Sequence, residues 1–275
     1  MLLYSDGSQL GSQALRLGIR IASAMANTVD IVAISRSTDQ EEEVVEQAAV
    51  AAEKLRVAGV SVTVYPRSGT MLDELLNQAE AVDYDLIVVG SRGRRGIRRL
   101  IAGSRACSIL KGTTTSVLVV KGKERENIDH ILVGSAAGPE SEETVRFAAR
   151  LARALDASVA LLHVMSQVAL EEHAKAADLD AEAEELMERD AREGVHLENM
   201  LKILQQEGVE AKALVRHGLI VDEIVDEAKN GHFDILAIGA HTVPGVEGLL
   251  SSDLSERIML SAERPILIVH QGRET

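Results

Sequence analysis

The stretch DLIVVGSRGRRGIRRLIAGS, residues 85–104, decides the fold. Its first part, Leu86–Val89, is a continuous apolar run rich in β-branched residues, which is typical of a strand buried on both faces of a parallel sheet. Gly90 follows this run at once, and a loop with further glycines leads to Gly103-Ser104, where a helix can begin. A strand that passes through such a loop into a helix is part of a βαβ unit, so the stretch predicts an α/β fold.

The chain carries this pattern twice. Asp234–Gly239 resembles Asp85–Gly90 at a spacing of 149 residues, and Val159–Val164 resembles Val29–Ile34 at a spacing of 130 residues. The extra length of the second copy falls between about residues 166 and 205, a segment rich in Ala and Glu that we expect to form one or two solvated helices. Each copy predicts a five-stranded parallel sheet flanked by helices. In the first copy the strands are expected at about residues 1–5, 28–35, 61–65, 85–90 and 116–121, and the first helix is expected from Ser12 to Met25.

Composition places two such domains in a chain of 275 residues, with a linker near residues 121–129 and domains at 1–124 and 125–275. The one cysteine, Cys107, excludes a disulfide within the chain. The eight histidines show no metal-ligand spacing, and His163 in a predicted strand is expected to be structural. No apolar stretch reaches the roughly 18 residues of a membrane span, and no signal segment precedes the first strand, so we expect a cytoplasmic location.

Charge is divided unevenly along the chain. Residues 1–125 carry 16 Lys and Arg against 14 Asp and Glu, whereas residues 126–275 carry 13 against 29. An overall net charge of −14 argues against general nucleic-acid binding, which needs many cations on phosphates. The local exception is a run of arginines near the glycine-rich loop, namely Arg92, Arg94, Arg95, Arg98, Arg99 and Arg105.

The glycine-rich loop predicts a phosphate site made of backbone. Gly90, two residues, Gly93, nine residues and then Gly103-Ser104 follow the fourth strand, and ligands of parallel sheets bind beyond the carboxyl ends of strands. Glycines let the backbone approach phosphate oxygens, while the N–H groups at a helix start attract anions. The Ser104 hydroxyl can donate to phosphate, and Arg92 can neutralise it. A patch for an anionic partner, or a solvated arginine face, stays open.

This spacing resembles the ATP-binding signature of the universal stress proteins. The turn Asp6-Gly7-Ser8 and the closing strand at 116–121 resemble the family as well. The resemblance implies adenine-nucleotide-binding Rossmann-like domains, with ATP, ADP or AMP as the ligand and Mg²⁺ arriving with the triphosphate. It places Ser5 and Asp6 at the adenosine end, the main chain of Ile34 at the adenine, and the phosphates on Gly90, Gly93, Gly103, Ser104 and the amide of Arg105.

The second copy departs from the signature. Gly239 is retained, but Thr242 stands in place of Gly93, Ser252 and Asp253 stand in place of Gly103 and Ser104, and Ser135 stands near the place of Asp6. A carboxylate at a phosphate position repels the ligand, and a β-branched residue resists positive φ. We therefore expect no ordinary ATP site in this half. Another ligand or a partner surface stays open there.

Three classes of function fit these observations. The leading one is a nucleotide-dependent regulatory or stress-response module that binds one nucleotide in its first domain. A slow ATPase is the second, although the loop offers no evident base except Asp6 and no Walker motif. The third is a protein-interaction scaffold without nucleotide. The resemblance also implies that the two copies pair through the strands at 116–121 and 265–270, and a homodimer stays open.

Overall fold

A computed structural model describes residues 1–35, 37–90, 102–122, 127–136, 140–165, 183–188, 192–240 and 251–271. These residues belong to two compact units, one within 1–124 and one within 125–271. In the described parts of the chain, no helix combines the length and the apolarity that crossing a bilayer requires.

The first unit alternates strands and helices, and its strands are all parallel. They lie in the order β3-β2-β1-β4-β5, so β1 is central. The elements are β1 (Leu2–Ser5), α1 (Gln9–Met25), β2 (Thr28–Ser35), α2 (Thr38–Val57), β3 (Ser61–Ser68), α3 (Met71–Ala81), β4 (Leu86–Gly90), α4 (Ala102–Gly112) and β5 (Ser116–Val120).

The second unit repeats this topology in the order β8-β7-β6-β9-β10, again with parallel strands. Its elements are β6 (His130–Gly134), α5 (Glu140–Leu155), β7 (Ser158–Met165), α6 (Ala183–Glu188), α7 (Arg192–Gln206), β8 (Ala211–His217), α8 (Ile220–Asn230), β9 (Ile235–Gly239), α9 (Ser251–Ser261) and β10 (Ile266–Val269).

The predicted fold class is confirmed, with five parallel strands per unit in a doubly wound order. Two boundaries differ from the sequence expectation. β3 continues to Ser68 through Pro66, which is tolerated because β3 is the last strand of its unit's order and needs fewer ladder N–H groups. Helix α1 begins at Gln9 rather than Ser12, because the Ser8 side chain caps it.

Helix α1 packs closely on the central strand. Its buried positions recur every three or four residues, which is the spacing of one helix face. At Gly18 a Cβ atom would lie 2.5 Å from Cδ2 of Leu3, so glycine lets the helix axis approach β1. The strand itself is fully covered, since Leu2 and Leu3 have no exposed surface. This contact fixes the start of α1 over the carboxyl end of β1.

The Ala- and Glu-rich segment was expected to form one or two solvated helices. Its described part does form two helices, but they are not simply solvated, because each buries one face. Helix α7 crosses over from β7 to β8 and is the counterpart of α2, so its inner face belongs to the core. Gly194 accepts close packing of α6, because a Cβ there would lie 2.1 Å from the carbonyl oxygen of Leu186. The buried residues of α7 are Gly194, Leu197, Met200, Ile203 and Leu204.

Candidate functional site

The carboxyl edge of the first sheet contains a topological switch point. From β1 the chain continues to β2 and β3 on one side, and then crosses to β4 and β5 on the other. The order reverses between β1 and β4, which pair through Leu3 and Val88. Ligands of open parallel sheets bind beyond the strand ends at such a point. The residues that follow Ser5 and Val89 therefore line the expected crevice.

The turn after β1 is fixed by side-chain hydrogen bonds. The Ser8 backbone N–H donates to Oδ1 of Asp6 at 3.1 Å, and the Ser8 hydroxyl donates to the same oxygen. The Ser8 hydroxyl oxygen in turn accepts from the N–H of Gly11 at 3.1 Å, which satisfies one of the free donors of the first turn of α1. Gly7 adopts a φ of 70°, in the left-handed region. Together these bonds hold the Asp6 carboxylate at the edge of the sheet.

Gly90 and Gly11 bring the first turn of α1 against the end of β4. A Cβ at Gly90 would lie 2.4 Å from the carbonyl oxygen of Leu10 and 3.2 Å from the backbone nitrogen of Gly11. A Cβ at Gly11 would lie 2.5 Å from Oδ1 of Asp6. Gly90 is therefore required by the close approach of another backbone segment, whatever it contributes to a ligand. This role of Gly11 was not predicted from the sequence.

Ser5 is a buried polar residue at this edge. It has no exposed surface, and its hydroxyl has no hydrogen-bond partner among the residues that the structure describes. A buried hydroxyl without a partner destabilises a fold by about 1 to 3 kcal/mol, so such groups call for an explanation. Its position at the last residue of β1, beside the switch point, is where a ligand would supply a partner.

Ile34 lies one residue before the end of its strand. β2 runs to Ser35, and its pairing with β1 ends at Ala33, whereas its pairing with β3 continues to Ser35. The side chain of Ile34 is buried in the core and takes no part in a crevice. Only its main chain is placed near the opening beside β1, together with that of Ser35. The prediction that the main chain of Ile34 contacts adenine therefore concerns the last two residues of β2, Ile34 and Ser35.

The rest of the predicted loop is described only in part. Arg92 and Gly93 lie outside the described residues. Gly103, Ser104 and Arg105 belong to helix α4, whose backbone is described from Ala102. Because α4 runs back from the carboxyl end of β4 to the start of β5, its first residues lie at the same edge as Gly90. Farther along α4, Cys107 is buried.

The corresponding edge of the second unit contains a cavity of about 160 Å³. Ser135, which stands near the place of Asp6, lines it together with His163. The Ser135 hydroxyl lies 2.7 Å from Nε2 of His196 on α7, and Nδ1 of His163 lies 3.0 Å from the carbonyl oxygen of Ser135. His163 is thus a hydrogen-bonded strand residue, as expected, whereas His196 was missed because the sequence gives no sign that α7 reaches this edge.

The His163 imidazole is buried and that of His196 is half-buried. Burial lowers the pKa of His163 below its ordinary value, outweighing the hydrogen bond that His163 donates to the Ser135 carbonyl oxygen and the charge of Glu193, which raise it, while His217 lowers it further. Burial also lowers the pKa of His196, and nearby His163 adds to that effect. The two rings lie 6.4 Å apart between centroids. Both are therefore neutral at pH 7.

Comparisons with known proteins agree with the two-unit architecture. The family model described as the universal stress protein family matches residues 2–121 and again residues 127–270. A universal stress protein of Mycolicibacterium smegmatis is 25% identical over 216 residues, which covers 77% of this chain and 69% of that protein.

Solved structures of full length resemble the chain as well. A universal stress protein from Archaeoglobus fulgidus has a TM-score of 0.68 at 17% identity, and the match covers 99% of this chain and 98% of that one. A protein of unknown function from Pseudomonas aeruginosa has a TM-score of 0.72 at 16% identity, with 98% and 91% covered. At these identities the two likenesses bear on the fold alone.

Proposed function

We propose, since the chain belongs to the universal stress protein family, that its first unit binds one adenine nucleotide and acts as a nucleotide-dependent regulatory module. ATP is the proposed ligand, with Mg²⁺ arriving on the triphosphate and keeping several of its waters. The site lies at the carboxyl edge of β1 and β4. It belongs to a domain at residues 1–124 with a complete glycine loop, whereas the domain at 125–275 has a degenerate one.

The observation that carries this proposal is the buried hydroxyl of Ser5. It has no partner among the described residues, yet it lies at the end of β1 where the strand order reverses. A hydroxyl can both donate and accept, so it suits the hydroxyl-rich adenosine end of a nucleotide. A bound nucleoside would satisfy this group and remove the free-energy penalty of its burial.

Asp6 supports the same assignment through its fixed position. Its Oδ1 accepts two hydrogen bonds from Ser8, which orients the carboxylate. An oriented carboxylate binds the hydroxyls of a ribose, because it accepts hydrogen bonds and cannot donate them. Asp6 is therefore the proposed adenosine contact, and the main chain of Ile34 is the proposed adenine contact.

The phosphates are assigned to the glycine loop and its arginines. Free N–H groups at the start of α4, on Gly103, Ser104 and Arg105, favour an anion at this edge. Gly90 and Gly93 provide close backbone approach, and Arg92 provides charge. The first unit is slightly basic while the second is strongly acidic, so the proposed anion site lies in the half that attracts anions.

The experiment is to identify the nucleotide that heat denaturation releases from the purified chain, and then to titrate the stripped protein with ATP and Mg²⁺ by calorimetry. The informative variant is Gly103→Asp, which sets a carboxylate against the phosphates. Its matched control is Ser252→Asp, the same new side chain at the corresponding position of the second unit. We expect one nucleotide per chain, lost in Gly103→Asp and retained in Ser252→Asp.

Two outcomes would overturn the proposal. A folded protein that releases no nucleotide and gives no heat with ATP, ADP or AMP would favour the interaction scaffold instead. Equal loss of affinity in both variants would show that the nucleotide does not depend on the first unit's loop. Circular dichroism of each variant separates loss of binding from loss of fold.

A further inference from the structure

We propose that the cavity of the second unit binds a small, uncharged, single-ring molecule that carries one hydrogen-bond donor, with Nε2 of His163 as the acceptor. A phenol is the chemical class that fits. This inference concerns a different unit and a different kind of ligand from the proposed nucleotide site, and it stands independently of that site.

The size of the cavity limits its ligand. Its volume is about 160 Å³, close to that of an engineered apolar cavity of about 150 Å³ that binds benzene. Pockets for drug-sized ligands measure roughly 300 to 1,000 Å³. The volume suits a molecule of one aromatic ring with one or two substituents, which is smaller than a nucleoside triphosphate.

The walls of the cavity are mainly apolar. Branched aliphatic side chains come from α8, β9 and α9, which close over the carboxyl end of β6. No lysine or arginine is among the described residues that line it, so an anionic ligand would lose its hydration without gaining a counter-charge. The apolar lining includes Ile220, Ile224, Ile238, Leu254 and Ile258.

Most of the polar groups on the walls are already used within the protein. The Ser141 hydroxyl accepts from the N–H of Ala136 and donates to its carbonyl oxygen. The Ser255 hydroxyl donates to the carbonyl oxygen of Gly239, and that of Ser135 pairs with His196. Because these hydroxyls already have hydrogen-bond partners in the protein, they contribute to the shape of the cavity more than to hydrogen bonding with a ligand.

His163 differs from these groups because only one of its two ring nitrogens, Nδ1, has a hydrogen-bond partner among the described residues. A carbonyl oxygen only accepts hydrogen bonds, so the 3.0 Å contact to Ser135 requires a proton on Nδ1. The ring is neutral because burial lowers its pKa. Nε2 then carries a lone pair, and it has no hydrogen-bond partner within the described residues. A ligand O–H or N–H can satisfy it, which makes the site selective for a donor.

The experiment is calorimetric titration of the full chain at pH 7.5 with p-cresol and with toluene, which has nearly the same shape but no donor. We expect saturable binding of p-cresol at one site, about fivefold tighter than toluene, because one net hydrogen bond contributes about 1 kcal/mol. In His163→Leu the two ligands should bind equally, since the acceptor is gone while the apolar walls remain.

A second pair of variants tests the place of binding. Ile220→Trp fills the cavity from its rim and should abolish binding of both ligands. Leu219→Trp is the matched control, because Leu219 is the neighbouring residue, is 67% exposed and does not line the cavity. Three outcomes would overturn the proposal. They are binding of p-cresol that survives Ile220→Trp, displacement of p-cresol by ATP, and the lack of any saturable binding of p-cresol. Retention of p-cresol binding in Gly103→Asp would confirm that the two sites are separate.

Discussion

The substitution Gly90→Ala tests whether the end of β4 is shaped by backbone packing. The added Cβ would lie 2.4 Å from the carbonyl oxygen and 2.8 Å from the carbonyl carbon of Leu10. Non-bonded carbon atoms are comfortable at about 3.5 to 4.0 Å, so the first turn of α1 must retreat by roughly 1 Å. Because the opposing atoms are backbone, no rotamer change can relieve the contact.

The expected loss of stability is at the upper end of what overpacking causes, about 3 kcal/mol. With a urea dependence of about 1 to 3 kcal/mol per molar, the unfolding midpoint of the first unit should fall by at least about 1 M. The retreating turn also carries Asp6, held through Ser8, so nucleotide affinity should fall with stability.

The matched control is Gly134→Ala at the end of β6. There the nearest atom to an added Cβ is Cγ2 of Ile238, at 3.2 Å, and this side chain can shift. We expect a loss below about 1 kcal/mol. The measurement is urea unfolding followed by hydrogen-exchange mass spectrometry, which reports on each unit separately. Equal midpoint shifts in the two variants would refute the packing argument, and so would a Gly90→Ala protein that loses nucleotide but keeps its stability.

Three further changes have outcomes that the structure predicts. Ser5→Ala should leave the nucleotide-free protein as stable or up to about 1 kcal/mol more stable, because a buried hydroxyl without a described partner is removed; calorimetry should meanwhile show weaker ATP binding. Burial lowers the pKa values of His163 and His196 in the folded protein, so the unfolded state binds more protons near and below pH 6.5. The free energy of unfolding is therefore highest above that pH and falls as the pH drops through the pKa values of the folded protein. In His196→Gln, the urea midpoints at pH 7.5 and 5.5 should differ by less than in the unchanged protein. Gly194→Ala should detach α6, since its Cβ would lie 2.1 Å from the Leu186 carbonyl oxygen, and unchanged hydrogen exchange of α6 would contradict this.

The strands could be predicted from the sequence because burial on both faces leaves a direct signal. Leu86–Val89 and Ile235–Ile238 are continuous apolar runs, and both are strands in the structure. Helix and strand boundaries that depend on a single side chain were harder to predict from the sequence. The Ser8 cap adds three residues to α1, and the position of β3 at the end of its unit's order tolerates Pro66 within the strand.

The Ala- and Glu-rich segment shows why composition alone misled. Its charges suggested solvated helices, but α7 is the crossover between β7 and β8, and any such crossover must cover one face of the sheet. The apolar residues Leu197, Met200 and Leu204 recur at intervals of three and four, which is the signal that could have identified its buried face.

At the candidate nucleotide site, Ser5, Asp6 and Gly90, which the sequence singled out, lie at one edge of the sheet, but the contacts that require these residues could not be predicted. Asp6 and Gly90 stood out through their places after apolar runs. That Gly90 faces the backbone of Leu10 could not be predicted, because this contact joins segments about 80 residues apart in the chain. The buried state of the Ser5 hydroxyl has the same origin. From the sequence, a serine at the end of a strand is predicted to be an ordinary exposed turn residue. Only the packing around it shows that its hydroxyl is buried.

The two units place different side chains on one topology. In the first, a carboxylate follows the central strand and is held by Ser8. In the second, Ser135 occupies that place and pairs with His196, a neutral imidazole on a helix that crosses over the sheet. The strand order is the same in both units, so the different ligands that we propose for them depend on a few side chains. The cavity of the second unit is lined mainly by aliphatic residues, so under our two proposals the loss of the ATP signature replaces one ligand class by another.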